Sequence, residues 1–274
     1  MHAYFWQGSN FWREKDGKLG QDLIDSVWEN GGYMQPKLQG QDQLKQVAKG
    51  WQKRYPTFKD ALARVPELQE AGDLSDLGAR LEAISSFVGS SAHPFSADTT
   101  DFDSYRTLIH GDPKQANIFL RTTTEQNLEV GLVDFQWTGF GLAATDIAHH
   151  LSAAVLPSCL SNDGEKEKRL LDLYYEELAK NLVRYGVAAS VEEVKTRLFP
   201  RAVLQQQYET ALLDICRMVF AYAWQRWNEE SEQTEESLNR NAYNKCLDSA
   251  LWLICRCHLL LKAYEKGTIS DGCI

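Results

Sequence analysis

The residues of this chain best able to do chemistry fall in two short segments, LIHGDPKQANIFLR over 108–121 and LVDFQWTGFG over 132–141. The first holds His110, Gly111 and Asp112, with Asn117 five residues after the aspartate; the second holds Asp134, Phe135 and Gln136. Four fixed identities in the first segment coincide by chance about once in a thousand chains of this length, so the pattern carries information. Phosphoryl transfer from ATP needs this equipment: a carboxylate to orient and deprotonate the attacking hydroxyl, and oxygen ligands to hold magnesium against the phosphates. Asp112 suits the first task. Magnesium keeps several of its waters and needs only one or two protein oxygens, so the Asn117 amide and the Asp134 carboxylate suffice for the second. Gly111 lets the loop turn where a side chain would collide. His110 reads as a residue that fixes the loop rather than as an acid or base, because the neighbouring aspartate already supplies the base.

Side chains from separate stretches of backbone converge only if ordered elements position them. Strand-like runs from Tyr105 to Ile109, Ile118 to Arg121 and Val130 to Phe135 would do so, the last two joined by the polar turn TTTEQN. This places Asp134 at the end of the third strand. The pattern then turns helical from Asp146, whose carboxylate is placed as an N-cap for IAHHLSAAVL. Residues 21–90 read as mostly helical, in LIDSVW, QLKQVAKGWQKRY and LSDLGARLEAISSFVG, and GSSAHPFSADTTDFDS as a loop. Two later helices are expected around Tyr208 to Trp227 and Tyr243 to Lys266, the second stopped by Gly267. The expected fold class is α+β and mainly α, a helical body around one small central β cluster that carries the catalytic and metal loops.

Composition narrows the partners. With 274 residues, 43% hydrophobic and 24% charged, the chain has enough apolar mass for one or two domains. A formal net charge of −9 argues against nucleic acid, which asks for clustered Lys and Arg. The stretch LWLICRCHLLL is broken by Arg256 and His258 and is too short to span a membrane. Six cysteines without a secretory signal read as reduced thiols, and a cytoplasmic location follows as an expectation. Cys255, Cys257 and His258 lie in an apolar helical stretch, where thiols serve as small hydrophobes more readily than as metal ligands.

The two segments resemble the Brenner motif and the metal-binding motif of the aminoglycoside phosphotransferase and choline kinase superfamily, which shares the protein-kinase fold. The Asp-Phe-Gln form is most similar to the ecdysteroid-kinase-like, or CHK-kinase-like, branch. The resemblance implies a protein-kinase-like C-terminal lobe with Asp112 as catalytic base, Asn117 and Asp134 as ligands of metal and cofactor, and magnesium with ATP as the cofactor. It gives Asp146, in TDIAHHL, the task of bracing the catalytic loop through its backbone, with Gly111 and Gln136 in support. Lys114 matches in position a lysine that protein kinases keep near the transferred phosphate. MHAYFW resembles the segment that opens the first helix after the hinge. On this reading residues 1–104 form the post-hinge helix and a helical insert, 105–151 the catalytic and metal-binding core, and 152–274 the C-terminal helical region. The nucleotide-binding lobe, with its Gly-rich loop and strand lysine, is then expected to be missing, through truncation or in a natural half-kinase. Such a chain alone would bind ATP weakly, turn it over negligibly and expose an apolar upper face prone to association.

The implied activity is transfer of the γ-phosphate of ATP to a small-molecule hydroxyl acceptor. The runner-up is a pseudokinase-like binding or scaffold module; metal-assisted phosphate ester hydrolysis comes third, with no second metal cluster behind it. Neither the acceptor nor the oligomeric state follows from the residues. Trp137 and Phe140 suit an acceptor pocket or core packing. Trp6, Trp12, Trp28, Trp224 and Trp227 suit ordinary helix packing or an aromatic wall. The acidic run EESEQTEES, from Glu229, reads as a solvated loop.

Overall fold

The structure is a computed structural model that describes residues 1–6, 26–35, 37–38, 42, 45–94, 105–124, 127–226 and 246–267. Its main helices in this range are α1 (Val47–Leu62), α2 (Leu77–Ala83), α3 (Ser85–Ala92), α4 (Ala143–Ala153), α5 (Glu165–Arg184), α6 (Arg201–Ala221) and α7 (Leu247–Glu265). The pattern that makes α1 a packed helix is simple: Val47, Trp51, Phe58 and Leu62 recur at helical spacing and are all buried. By contrast α6 is buried nearly all round from Tyr208 to Ala221, because α1, α2, α3, α4, α5 and α7 all pack against it. Gly50 on α1 allows one such approach, since a Cβ there would overlap the Phe220 carbonyl. One hydrophobic core joins Trp6, Trp51, Leu151, Leu171, Leu212 and Leu253. No helix among the described residues is long and apolar enough to cross a membrane.

Four short strands form two separate antiparallel sheets rather than the single cluster expected from the sequence. In the first, β1 (Arg106–Ile109) pairs with β4 (Gly139–Leu142), Ile109 opposite Gly139. In the second, β2 (Ile118–Thr122) pairs with β3 (Leu128–Leu132), Ile118 opposite Leu132. This topology sets the site. The loop 110–117 leaves β1 and enters β2, while the segment 133–138 leaves β3 and enters β4. Both connections bridge the same two sheets, so they must run side by side.

Several expectations change in detail. Strand β4, GFGL, is unforeseen because two glycines give no strand propensity. Both are needed for close approach: a Cβ on Gly139 would overlap the Trp28 carbonyl, and one on Gly141 the Ile109 side chain. Trp28 forms a parallel bridge with Gly139, so the helical reading of LIDSVW fails there. Strand β3 begins earlier than expected and stops at Leu132, leaving Asp134 beyond its end. The helix after β4 starts at Ala143 with Leu142 at its N-cap position, so Asp146 is not the cap. Helix α3 reaches Ala92, into the segment read as loop. Gly267, at φ 69°, does follow the end of α7. Of MHAYFW, the amides of Tyr4 and Phe5 turn back to the Met1 carbonyl and Trp6 is wholly buried. Trp12, Trp227 and the acidic run lie outside the described residues.

Candidate active site

The first turn of α4 anchors the loop that follows β1. Asp146, buried there, accepts the His110 N–H at 2.7 Å on Oδ2 and the Gly111 N–H at 2.9 Å on Oδ1. Burial alone would raise its pKa, but His2, with Nε2 at 3.2 Å, and the two backbone donors outweigh that and hold the carboxyl below its usual range. The carboxylate thus bonds two successive backbone N–H groups of the loop. Gly111 adopts φ 83°, and a Cβ on it would overlap the Trp137 carbonyl, so glycine is required by conformation and by space. Both nitrogens of His110 are occupied by backbone: Nδ1 accepts from the Asp112 N–H at 3.3 Å, and Nε2–H donates to the Val133 carbonyl at 2.9 Å. That geometry makes His110 a tie between the two loops, with no nitrogen left for acid–base work.

Asp112 is 2% exposed. Its Oδ2 accepts from Lys114 Nζ at 2.5 Å and from Asn117 Nδ2 at 3.2 Å, while its Oδ1 makes no hydrogen bond. Burial raises the Asp112 pKa and the charge of Asp134 adds to this; the pairing with Lys114 opposes it. Lys114 is therefore engaged with the carboxylate and is not a solvated surface lysine. Asn117 also donates from Nδ2 to the Asp112 carbonyl at 2.9 Å, so its amide nitrogen is committed to the loop and its amide oxygen faces elsewhere.

The third group arrives on the neighbouring segment. The Val133 N–H donates to the Asn117 carbonyl at 3.1 Å, which fixes Asp134 beside the asparagine. Asp134 is, among the described residues, the non-glycine residue in left-handed backbone, at φ 62° and ψ 64°. Aspartate tolerates that region better than most residues, and such conformations collect at functional sites. An amide oxygen and a carboxylate are hard donors of the kind magnesium takes, and two suffice when water and phosphate complete the shell. Among the described residues no group of three His, Cys, Asp or Glu is arranged to hold a metal. Gln136 supports the segment by its backbone, its carbonyl accepting from Trp28 Nε1 at 2.7 Å.

Four further residues belong to the site and were not singled out for it in the sequence. His2 pairs with the brace. Gly32 donates its N–H to the Trp137 carbonyl at 2.9 Å. His149, 2% exposed, brings Nε2 to 3.5 Å from Asp112 Oδ1. Tyr33 packs edge-on against His149 at 5.8 Å and lies 6.1 Å from the Trp137 ring. His149 was findable in principle, standing three residues after Asp146 on the same helix face. Trp137 continues the row outward by stacking on Trp28 at 5.6 Å, and Trp28 is 44% exposed. Phe140 instead packs under the Arg106 guanidinium. Trp6 and Trp224 are core residues, against Phe199 and Phe220 respectively, and line no wall. Cys255 and Cys257 are fully buried, and burial pushes the Cys255 thiol up to about 12, as for an inert core residue.

Comparison with curated proteins and with solved structures gave no match. A comparison with protein families gave one that spans more than half of the chain, residues 29–187, and includes both loops, the brace and Tyr33. The chain belongs to the ecdysteroid kinase-like family.

Proposed function

We propose that this protein is an ATP- and magnesium-dependent phosphotransferase that acts on a hydroxyl group of a small molecule. Family membership supports a kinase-like phosphotransferase in general terms. The observation that carries the finer reading is the state of Asp112: one carboxylate oxygen is held by Lys114 and Asn117, and the other is buried with no hydrogen bond. A buried acceptor that makes no hydrogen bond is costly, and a substrate hydroxyl donating to Oδ1 would satisfy it.

In that arrangement Oδ1 orients the hydroxyl and takes its proton as the oxygen attacks phosphorus. The upward shift of the Asp112 pKa makes it a stronger base than an exposed aspartate. Lys114 and Asn117 keep the carboxylate from rotating, and Asp146 keeps the loop itself from moving. Asn117 and Asp134 are the residues that would hold magnesium, which when bound neutralises charge on the phosphates. The test is a coupled assay with magnesium and ATP over a panel of small alcohols, run on the chain joined to a nucleotide-binding lobe. Asp112→Asn is expected to lower the rate by about 10² to 10⁴ while leaving nucleotide affinity nearly intact, the worth of a positioned base. Asp134→Ala is expected to abolish metal-dependent turnover. Equal loss of nucleotide affinity in both variants contradicts the assignment of Asp112.

A second reading, a binding module, is favoured by one feature. The β2–β3 hairpin exposes Leu120, Leu128 and Val130 on one face, each about 60% accessible. A wild type with no more turnover than Asp112→Asn, together with concentration-dependent association, would favour that reading.

A further inference from the structure

His149 takes no part in the chemistry described above, yet it faces the reacting carboxylate. Asp146 and His149 stand one turn apart on α4, and the first holds the backbone of the catalytic loop while the second meets its side chain. The 3.5 Å between His149 Nε2 and Asp112 Oδ1 is too long for a strong direct hydrogen bond. It is the spacing at which one oxygen atom can sit within hydrogen-bond distance of both. Tyr33 packs edge-on against the imidazole.

We propose that His149 orients the acceptor: its Nε2–H donates to the oxygen of the acceptor hydroxyl, while that hydroxyl points its proton at Asp112 Oδ1. This rests on the phosphotransferase reading and deepens it. In the transfer step the acceptor O–H bond breaks and its proton passes to Asp112 Oδ1. The oxygen forms a bond to the γ-phosphorus, and the bond from that phosphorus to the bridging oxygen breaks, its electron pair leaving with ADP. His149 keeps its proton throughout.

The environment suits a neutral donor. Burial strips the imidazolium of water and pushes the His149 pKa down to about 3; Asp146 favours the charged form, whereas Lys114, His150 and His110 oppose it. A cationic ring at this distance would lower the proton affinity of Asp112 and blunt the base. A neutral ring orients the hydroxyl without that cost.

Two measurements on the full chain test this. In protein labelled with ¹⁵N-histidine, long-range proton–nitrogen correlation should show one ring, missing from His149→Phe and from His149→Gln, that stays neutral with its proton on Nε2 between about pH 5 and 8. Asp112→Asn should shift that ring's nitrogen resonances. A ring that carries its proton on Nδ1, titrates near its ordinary value, or ignores Asp112→Asn overturns the proposal. The second measurement, with the chain joined to a nucleotide-binding lobe, is phosphate release from magnesium–ATP with water as the acceptor. His149→Phe is expected to slow it about ten-fold or more at unchanged ATP affinity, and His149→Gln, which restores an N–H donor, to recover most of the loss. A His149→Phe variant as fast as wild type, when Asp112→Asn is slow, refutes the role of His149 and leaves the phosphotransferase reading standing. A wild type no faster than Asp112→Asn removes the phosphotransferase reading, and this role with it.

Discussion

Replacing Asp146 by asparagine keeps the shape of the brace and removes its charge. In the native site two backbone N–H groups, from His110 and Gly111, end on the two carboxylate oxygens at 2.7 and 2.9 Å, and His2 Nε2 approaches at 3.2 Å. Asparagine offers one acceptor oxygen and turns an N–H₂ group toward the second backbone N–H. One buried donor is then left without a partner, at about 1–3 kcal/mol, and the remaining bonds lose their charge assistance at about 1 kcal/mol more. The expected loss is about 2–4 kcal/mol at neutral pH, a large part of a typical domain's stability. At this chain length it corresponds to a fall of about 5–10 °C in melting temperature. The pH dependence adds a sign. The Asp146 pKa is depressed in the folded state, so its contribution is fully present above the unfolded value near 4 and is lost as pH falls through the folded value. Urea unfolding of wild type and Asp146→Asn, at neutral pH and again in steps below about pH 4, should show a gap that closes on acidification. A gap under about 0.5 kcal/mol at neutral pH, or one that persists unchanged into acid, refutes the argument.

Asp134→Gly should raise stability by about 0.5–1 kcal/mol in thermal melts, because glycine occupies the left-handed region freely, while eliminating metal-dependent turnover; a destabilised variant would show that the backbone there is unstrained. Gly111→Ala should cost about 2–4 kcal/mol through strain and the clash with the Trp137 carbonyl, read as a drop in urea midpoint. Asp214→Ala should cost about 3–5 kcal/mol, since it leaves the buried Arg217 guanidinium, now paired at 2.7 Å, and His93, at 3.0 Å, without their carboxylate. Leu120→Lys, at a position 64% exposed, should change stability by less than about 0.5 kcal/mol yet reduce self-association in sedimentation at high concentration; unchanged association would clear the hairpin face of that tendency.

The sequence by itself determined which residues are candidates for chemistry and much of the helical frame. The candidate set Asp112, Asn117 and Asp134 stood out because the proposed phosphoryl transfer admits few side-chain types and their spacing is local, within one loop and just past one strand end. Helix α1 was legible because Val47, Trp51, Phe58 and Leu62 repeat at the helical period. Tertiary structure alone decided what depends on close approach between distant segments. Strand β4 exists because Gly139 and Gly141 admit Trp28 and Ile109, a contact that leaves no periodic signal. Asp146 looked like a helix cap because its type suits that task in isolation; its carboxylate serves the loop of another segment, more than thirty residues earlier in the chain. His149, Tyr33 and His2 join the site only because α4 and the residues around 30 and 2 fold against one loop. Local patterns report what a residue can do, and the partner that makes it do so is set by packing among residues far apart in the chain.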